Sequence, residues 1–153
     1  MGYENGFRAP ENAVTQRLED PEYFMIGPNA TPAAMLPGIV VTGDGSGAVK
    51  EAGATGVFYG TLGYEAVQPG DYKPKNRDSA FPIGSRVPVH VGPGIRIRGR
   101  LAASQTIIKG DLLKVAAGGL LEKADDEDRF YAIADEPATS AAAGSPIWAI
   151  TVR

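Results

Sequence analysis

Residues 86–101 read RVPVHVGPGIRIRGRL, and the alternation in this stretch decides the fold class. Val87, Val89 and Val91 alternate with Arg86, Pro88 and His90, while Ile95, Ile97 and Leu101 stand apart from Arg96, Arg98 and Arg100. A period of two places the aliphatic side chains on one face of a strand and the basic ones on the other. GPG at 92–94 reads as the turn between the two strands. Pro88 suggests an edge or a bulge in the first, and Gly99 a bulge in the second.

Working outward, the same texture continues on both sides. IVVT at 39–42, GDGSG at 43–47 and AVKEA at 48–52 form a hairpin signal, with glycine supplying positive φ in the turn. VFYGTLGYEAV at 57–67 is strand-like, with Gly60 and Gly63 at bulges or close backbone contacts. A long polar loop covers 69–84. LLKV at 112–115 and LLEK at 120–123 flank AAGG as another hairpin, and FYAIADE at 130–136 and IWAITV at 147–152 read as the last strands. About eight short strands at this spacing predict a mainly β domain, a small barrel or sandwich, over residues 39–153. The 153 residues include 20 Gly and 12 Pro, which disfavours a helical bundle. A domain of this size needs no covalent staple.

Residues 1–38 read differently. Pro10, Pro21, Pro28, Pro32 and Pro37 interrupt any long element. Tyr3, Phe7, Tyr23 and Phe24 place a third of the twelve aromatics in the first 24 residues, whereas solvated tails usually lack them. This pattern predicts an extended, irregular arm that orders on another surface. The alternatives are packing on the chain's own domain and a solvated terminus. Arg8 and Arg17 join the four aromatics as candidate contact residues of the arm.

Composition points away from catalysis. The chain holds no Cys, one His and one Trp, so disulfides, thiol chemistry and cysteine metal sites are excluded. GDGSG lacks the Gly-Lys-Ser/Thr step of a phosphate loop, and GPGIRIRG is followed by a strand where a dinucleotide fingerprint needs a helix. Asp125, Asp126, Glu127 and Asp128 run consecutively, without the spacers and turn glycine of a calcium loop. No G-x-S-x-G elbow exists to pair with His90. The expectation is therefore no enzyme, no cofactor and no metal. MGYENGFRAPEN at 1–12 carries Glu4 and Glu11 and no apolar run, unlike a secretory signal. No apolar stretch approaches a membrane span.

Net charge is −3, but it is segregated: residues 81–121 carry +5, residues 1–38 carry −3 and residues 122–153 carry −4. Arg86, Arg96, Arg98 and Arg100 are candidate contacts for an acidic protein surface. The competing reading is a solvated face balanced by the chain's own acidic segments. With no aromatic platform interleaved, neither nucleic acid nor membrane is expected as a partner.

The order VFYGTLGYE, RVPVHVGPGIRIRGRLAAS, TIIKGDLLKVAAGGLLEKA and FYAIADEPATSAAAGSPIWAITV resembles the small capsid decoration, or cement, proteins of tailed phages. Residues 108–112 match an I-x-K-G-D-x-L-type step, 132–136 an A-x-A-x-E-type strand, and 147–152 an aliphatic terminal strand. The resemblance covers about 57–153. It implies a small β-barrel-like domain on the outer surface of the virion, made in the host cytoplasm. It also implies contact with the major capsid protein, self-association as a homotrimer, an arm reaching over neighbouring subunits, and no catalytic residues. Such a protein would hold shell subunits together against internal pressure through many weak contacts. The alternative is a host-binding head or tail fibre domain that recognises glycan, with Tyr59, Tyr64, Tyr72 and Trp148 as candidate platforms. Core packing is the expected fate of Trp148 in its apolar strand. A trimeric nucleotide hydrolase of the dUTPase type has similar length and glycine content, but its motifs are missing here.

Overall fold

The computed structural model describes residues 22–55, 57–65, 70–125 and 129–152. Twelve strands lie among them: β1 (Glu22–Met25), β2 (Val40–Gly43), β3 (Val49–Glu51), β4 (Gly60–Leu62), β5 (Arg86–His90), β6 (Arg96–Leu101), β7 (Gln105–Ile107), β8 (Leu112–Val115), β9 (Leu121–Lys123), β10 (Ala132–Ala134), β11 (Ala138–Ser140) and β12 (Ser145–Thr151). The chain is mainly β. Its helical content among these residues is two single 3₁₀ turns, Pro32–Ala34 and Ala117–Gly119.

The strands form two larger units. The first is an antiparallel sheet in the order β1-β5-β4-β2-β3. A bridge between Ile26 and Val49 draws its two end strands toward each other. The second is a closed five-stranded barrel, β10-β12-β6-β9-β8, with one parallel contact between β6 and β9. Closure leaves the barrel no free edge. β7 and β11 pair as a separate ribbon.

Local chemistry accounts for the expected hairpins. β2 and β3 pair across GDGSG, where the Asp44 carboxylate accepts from the Ser46 amide at 2.8 Å and the Ser46 hydroxyl at 2.6 Å. These bonds, the hydroxyl's first, hold the Asp44 carboxyl below its ordinary value. β8 and β9 pair across the second 3₁₀ turn.

Three expectations are corrected. Residues 22–38, read as the end of an arm, are built into the first sheet. β1 pairs with β5, Ile26 and Met35 are buried among Ile39, Val41, Val49, Leu62, Phe81, Val87 and Val89, and Glu51 accepts from the Thr31 amide and hydroxyl. Prolines punctuate this segment without freeing it, because single side chains anchor it between breaks. Residues 1–21 lie outside the described set. Second, GPG at 92–94 closes no hairpin. It passes the chain from the first sheet to the barrel, held by Thr151, whose carbonyl accepts from the Gly94 amide at 2.6 Å and whose hydroxyl donates to the Gly92 carbonyl at 2.8 Å. Third, β6 and β12 stay in one-to-one register from Leu101↔Ser145 to Arg96↔Ile150, so Gly99 marks no bulge.

The two units meet along a seam, and β2 lies in it. Val40 faces the barrel core, with Leu101, Leu113, Leu121 and Tyr131, while Ile39 and Val41 face the core of the first sheet. Burial on both faces explains the unbroken apolar run at 39–41. Across the seam the hydroxyls of Thr61 and Tyr131 share a buried hydrogen bond of 2.8 Å. Burial pushes the Tyr131 phenol up to about 12.

The neutral phenol is thus favoured in the folded state, so its contribution is complete below the unfolded value near 10 and is lost as pH rises toward 12. Urea unfolding between pH 9 and 11.5 is expected to show the wild type losing about 2 kcal/mol more than Tyr131→Phe. At pH 7 that variant is expected to start about 1 kcal/mol lower, from the lost hydrogen bond. Identical pH dependence in the two proteins would contradict a buried phenol.

Candidate functional site

The β6–β12 register sets the site. It places Trp148 directly opposite Arg98, and period two turns Arg96, Arg98 and Arg100 away from the barrel core together with Trp148. The Arg96 guanidinium lies 4.1 Å from the Trp148 ring centroid and that of Arg98 4.9 Å, both in cation–π range. Arg96 Nε donates to Asp135 Oδ2 at 2.8 Å, and that bond is the main reason the Asp135 carboxyl sits below its ordinary value. Arg98 Nη1 lies 3.6 Å from Glu136 Oε2, an oxygen that already accepts the Trp148 amide at 2.9 Å. Trp148 is half-buried at the surface, which corrects the expectation of core packing. The alternation was legible, but the outward register of Trp148 depends on β6.

The four arginines of the expected stripe divide into three environments. Arg86 belongs to the other sheet, where it pairs with Asp71 at 3.0 Å and lies 5.6 Å from the Tyr23 ring centroid. Arg96 and Arg98 share the Trp148 surface. Arg100 is only 3% exposed. Its Nε donates to the Pro37 carbonyl at 2.6 Å and its Nη1 to the Gly144 carbonyl at 2.9 Å and Asp78 at 3.2 Å; Nη2 donates to the Arg77 carbonyl. This side chain is therefore a structural clamp across the seam. Period two identified its face, while the cover came from loops distant in sequence.

Of the arm candidates, Tyr23 is 57% exposed, and Phe24 packs on Tyr59 with ring centroids 5.2 Å apart. Tyr3, Phe7, Arg8 and Arg17 lie outside the described residues. β1 consequently shows apolar surface on both faces. Tyr23 and Met25 border a shallow hollow with Tyr72 and Arg86, and Phe24 borders an apolar one with Phe58, Tyr59 and Val91.

A cleft of about 220 Å³ opens at the seam, lined by Gly63, Tyr64, Arg77, His90, Arg98 and Trp148 among others. A second hollow, of about 380 Å³, shares Arg77, Arg98 and Trp148 with it. Arg77 escaped the sequence reading because it stands in the polar loop, outside any alternating pattern. Burial, then the neighbouring charges of Arg98 and Arg100, lower its pKa. His90 Nδ1 is buried, with no hydrogen-bond partner among the described residues. The nearby Thr61 hydroxyl is engaged by Tyr131. Among the described residues, no three His, Asp or Glu side chains gather as a metal site.

No protein-family model matches this chain, and no curated protein matches it significantly. Among solved structures, the crystal structure of the C-terminal fragment of bacteriophage phi29 gene product 12 is similar, with a TM-score of 0.54 and 16% sequence identity. The likeness covers 88% of this chain and 100% of that one. It is a likeness of fold.

The contrast between the arginines is measurable. Arg100→Met leaves three carbonyls without their donor and is expected to cost about 2–4 kcal/mol in urea unfolding. Arg96→Met removes an exposed pair and is expected to shift the midpoint far less. Equal losses at the two positions would contradict the clamp.

Proposed function

We propose that this chain is a non-catalytic phage structural protein that decorates the outer surface of a capsid shell and stabilises it, self-associating as a trimer. The observation that carries this reading is β1. A strand at the end of a sheet, apolar on both faces through Tyr23, Met25 and Phe24, is suited to protein contact. Two considerations support it: the resemblance of residues 57–153 to decoration proteins, and a fold shared with a fragment of a phage protein. The hollows on β1 are shallow, and the chemistry they offer is charge and aromatic surface. Many such contacts, repeated over a shell, sum through multivalency.

A second reading, a host-binding domain that recognises glycan, is favoured by the half-buried Trp148 at the seam. A glycan array distinguishes it, since a decoration protein is expected to give no specific signal there.

The direct test mixes the protein with undecorated, expanded capsids. It is expected to sediment with them and to raise their rupture temperature, and Tyr23→Ser with Met25→Ser is expected to reduce occupancy while the body stays folded. Absence from the capsid pellet, or equal rupture temperatures at full and zero occupancy, would overturn the decoration role.

A further inference from the structure

The seam cleft holds more positive charge than its own carboxylates neutralise. Arg77, Arg96 and Arg98 line it together with Tyr64, His90 and Trp148. Arg96 is matched by Asp135. Arg98 has only a long contact, 3.6 Å, to a carboxylate oxygen already shared with a backbone amide. Arg77 has no ion pair among the described residues. Two further acids stand close by: Glu65 lines the cleft itself but is paired with Lys73 at 2.9 Å, and Asp78, bonded to Arg100 at 3.2 Å, offsets only part of the charge around Arg77. The Arg77 carbonyl is itself fixed by Arg100, so the same clamp that closes the seam holds Arg77 close to two like charges.

A half-buried cation beside other cations is costly unless an anion completes the arrangement. Guanidinium groups present planar forks that match carboxylate and phosphate oxygens. Trp148 gives the cleft an apolar wall that excludes water from one side and strengthens such bonds.

We propose that this cleft is an oxyanion-binding site, with Arg77 and Arg98 as the ligating groups and Trp148 as its wall. The ligand chemistry is a carboxylate or phosphate group, supplied either by a free anion or by an acidic side chain of a partner protein. The site belongs to the isolated chain, so it stands or falls independently of any shell.

Trp148 is the sole tryptophan and reports on the cleft directly. The full chain is titrated with inorganic phosphate and, separately, with a pentaglutamate peptide, sodium chloride holding ionic strength constant. At least one of the two is expected to give a saturable change in Trp148 emission and, at a hundred-fold excess over Kd, a rise in Tm of about 5 °C or more. Response to phosphate identifies a small-anion site, and response to the peptide alone identifies an acidic protein segment. Arg77→Gln is expected to weaken binding at least ten-fold while Tm in chloride stays level or rises, because a like-charge contact is relieved. Arg98→Gln, which leaves the loop untouched, is expected to weaken binding similarly. No saturable response to either anion beyond the chloride control, or wild-type affinity in both variants, would overturn the site.

Discussion

Burying the Arg100 guanidinium is the constraint on which the arrangement of the seam depends. A charge taken out of water must be met by hydrogen-bond acceptors, or it costs several kcal/mol. Here the acceptors come from three separate segments: the Pro37 carbonyl, the Arg77 carbonyl with the Asp78 carboxylate, and the Gly144 carbonyl. Satisfying this one side chain of β6 fixes the turn before β2, the polar loop before β5 and the turn before β12. The barrel and the first sheet are thereby clamped to each other, and the cleft beside Trp148 takes its shape from the same loops.

Close backbone approach makes the clamp possible. Gly38 adopts a φ of +102°, and a Cβ there would stand 2.6 Å from the Arg98 carbonyl oxygen. A Cβ on Gly99 would stand 2.6 Å from Leu121 Cδ1. With a side chain at Gly38, the segment at 37–38 would be held off β6 and the Pro37 carbonyl would be withdrawn from Arg100, whereas one at Gly99 would press on Leu121 in the barrel core. The charge pattern of the cleft follows from this geometry. Loop residue Arg77 is held close to the like charges of Arg98 and Arg100, an arrangement that favours an anionic ligand.

Much of the β architecture was legible because its signals are local. GDGSG carries its own turn chemistry in Asp44 and Ser46, the AAGG break sits between two apolar runs, and β12 announces itself by Ile147, Ala149 and Thr151 on the buried face. What escaped depends on distant partners. Ile26 and Met35 lie in a proline-broken stretch with no period, so nothing nearby marks them as core residues. GPG has the composition of a hairpin turn, and only Thr151, far along the chain, makes it a crossover. Arg96 and Arg100 are equivalent in the alternating pattern, yet one is exposed and the other buried, because period two gives a face but not what covers it. β11 is hidden in a stretch of small residues, where the Ser140 hydroxyl accepts from the Gln105 amide of β7 and donates to the Ala102 carbonyl, bonds that side-chain pattern does not show.

The central claim is that the seam joins the first sheet and the barrel into one cooperative unit. Native-state hydrogen exchange tests it most directly, by comparing the amides of Leu62 and Tyr59 in the first unit with those of Tyr131 and Val152 in the barrel, all hydrogen-bonded to backbone carbonyls. In the wild type both groups are expected to exchange with the same free energy, equal to that of global unfolding. In Arg100→Met the first group is expected to open at lower free energy than the second. Two distinct opening energies already in the wild type, unchanged by the substitution, would contradict the account.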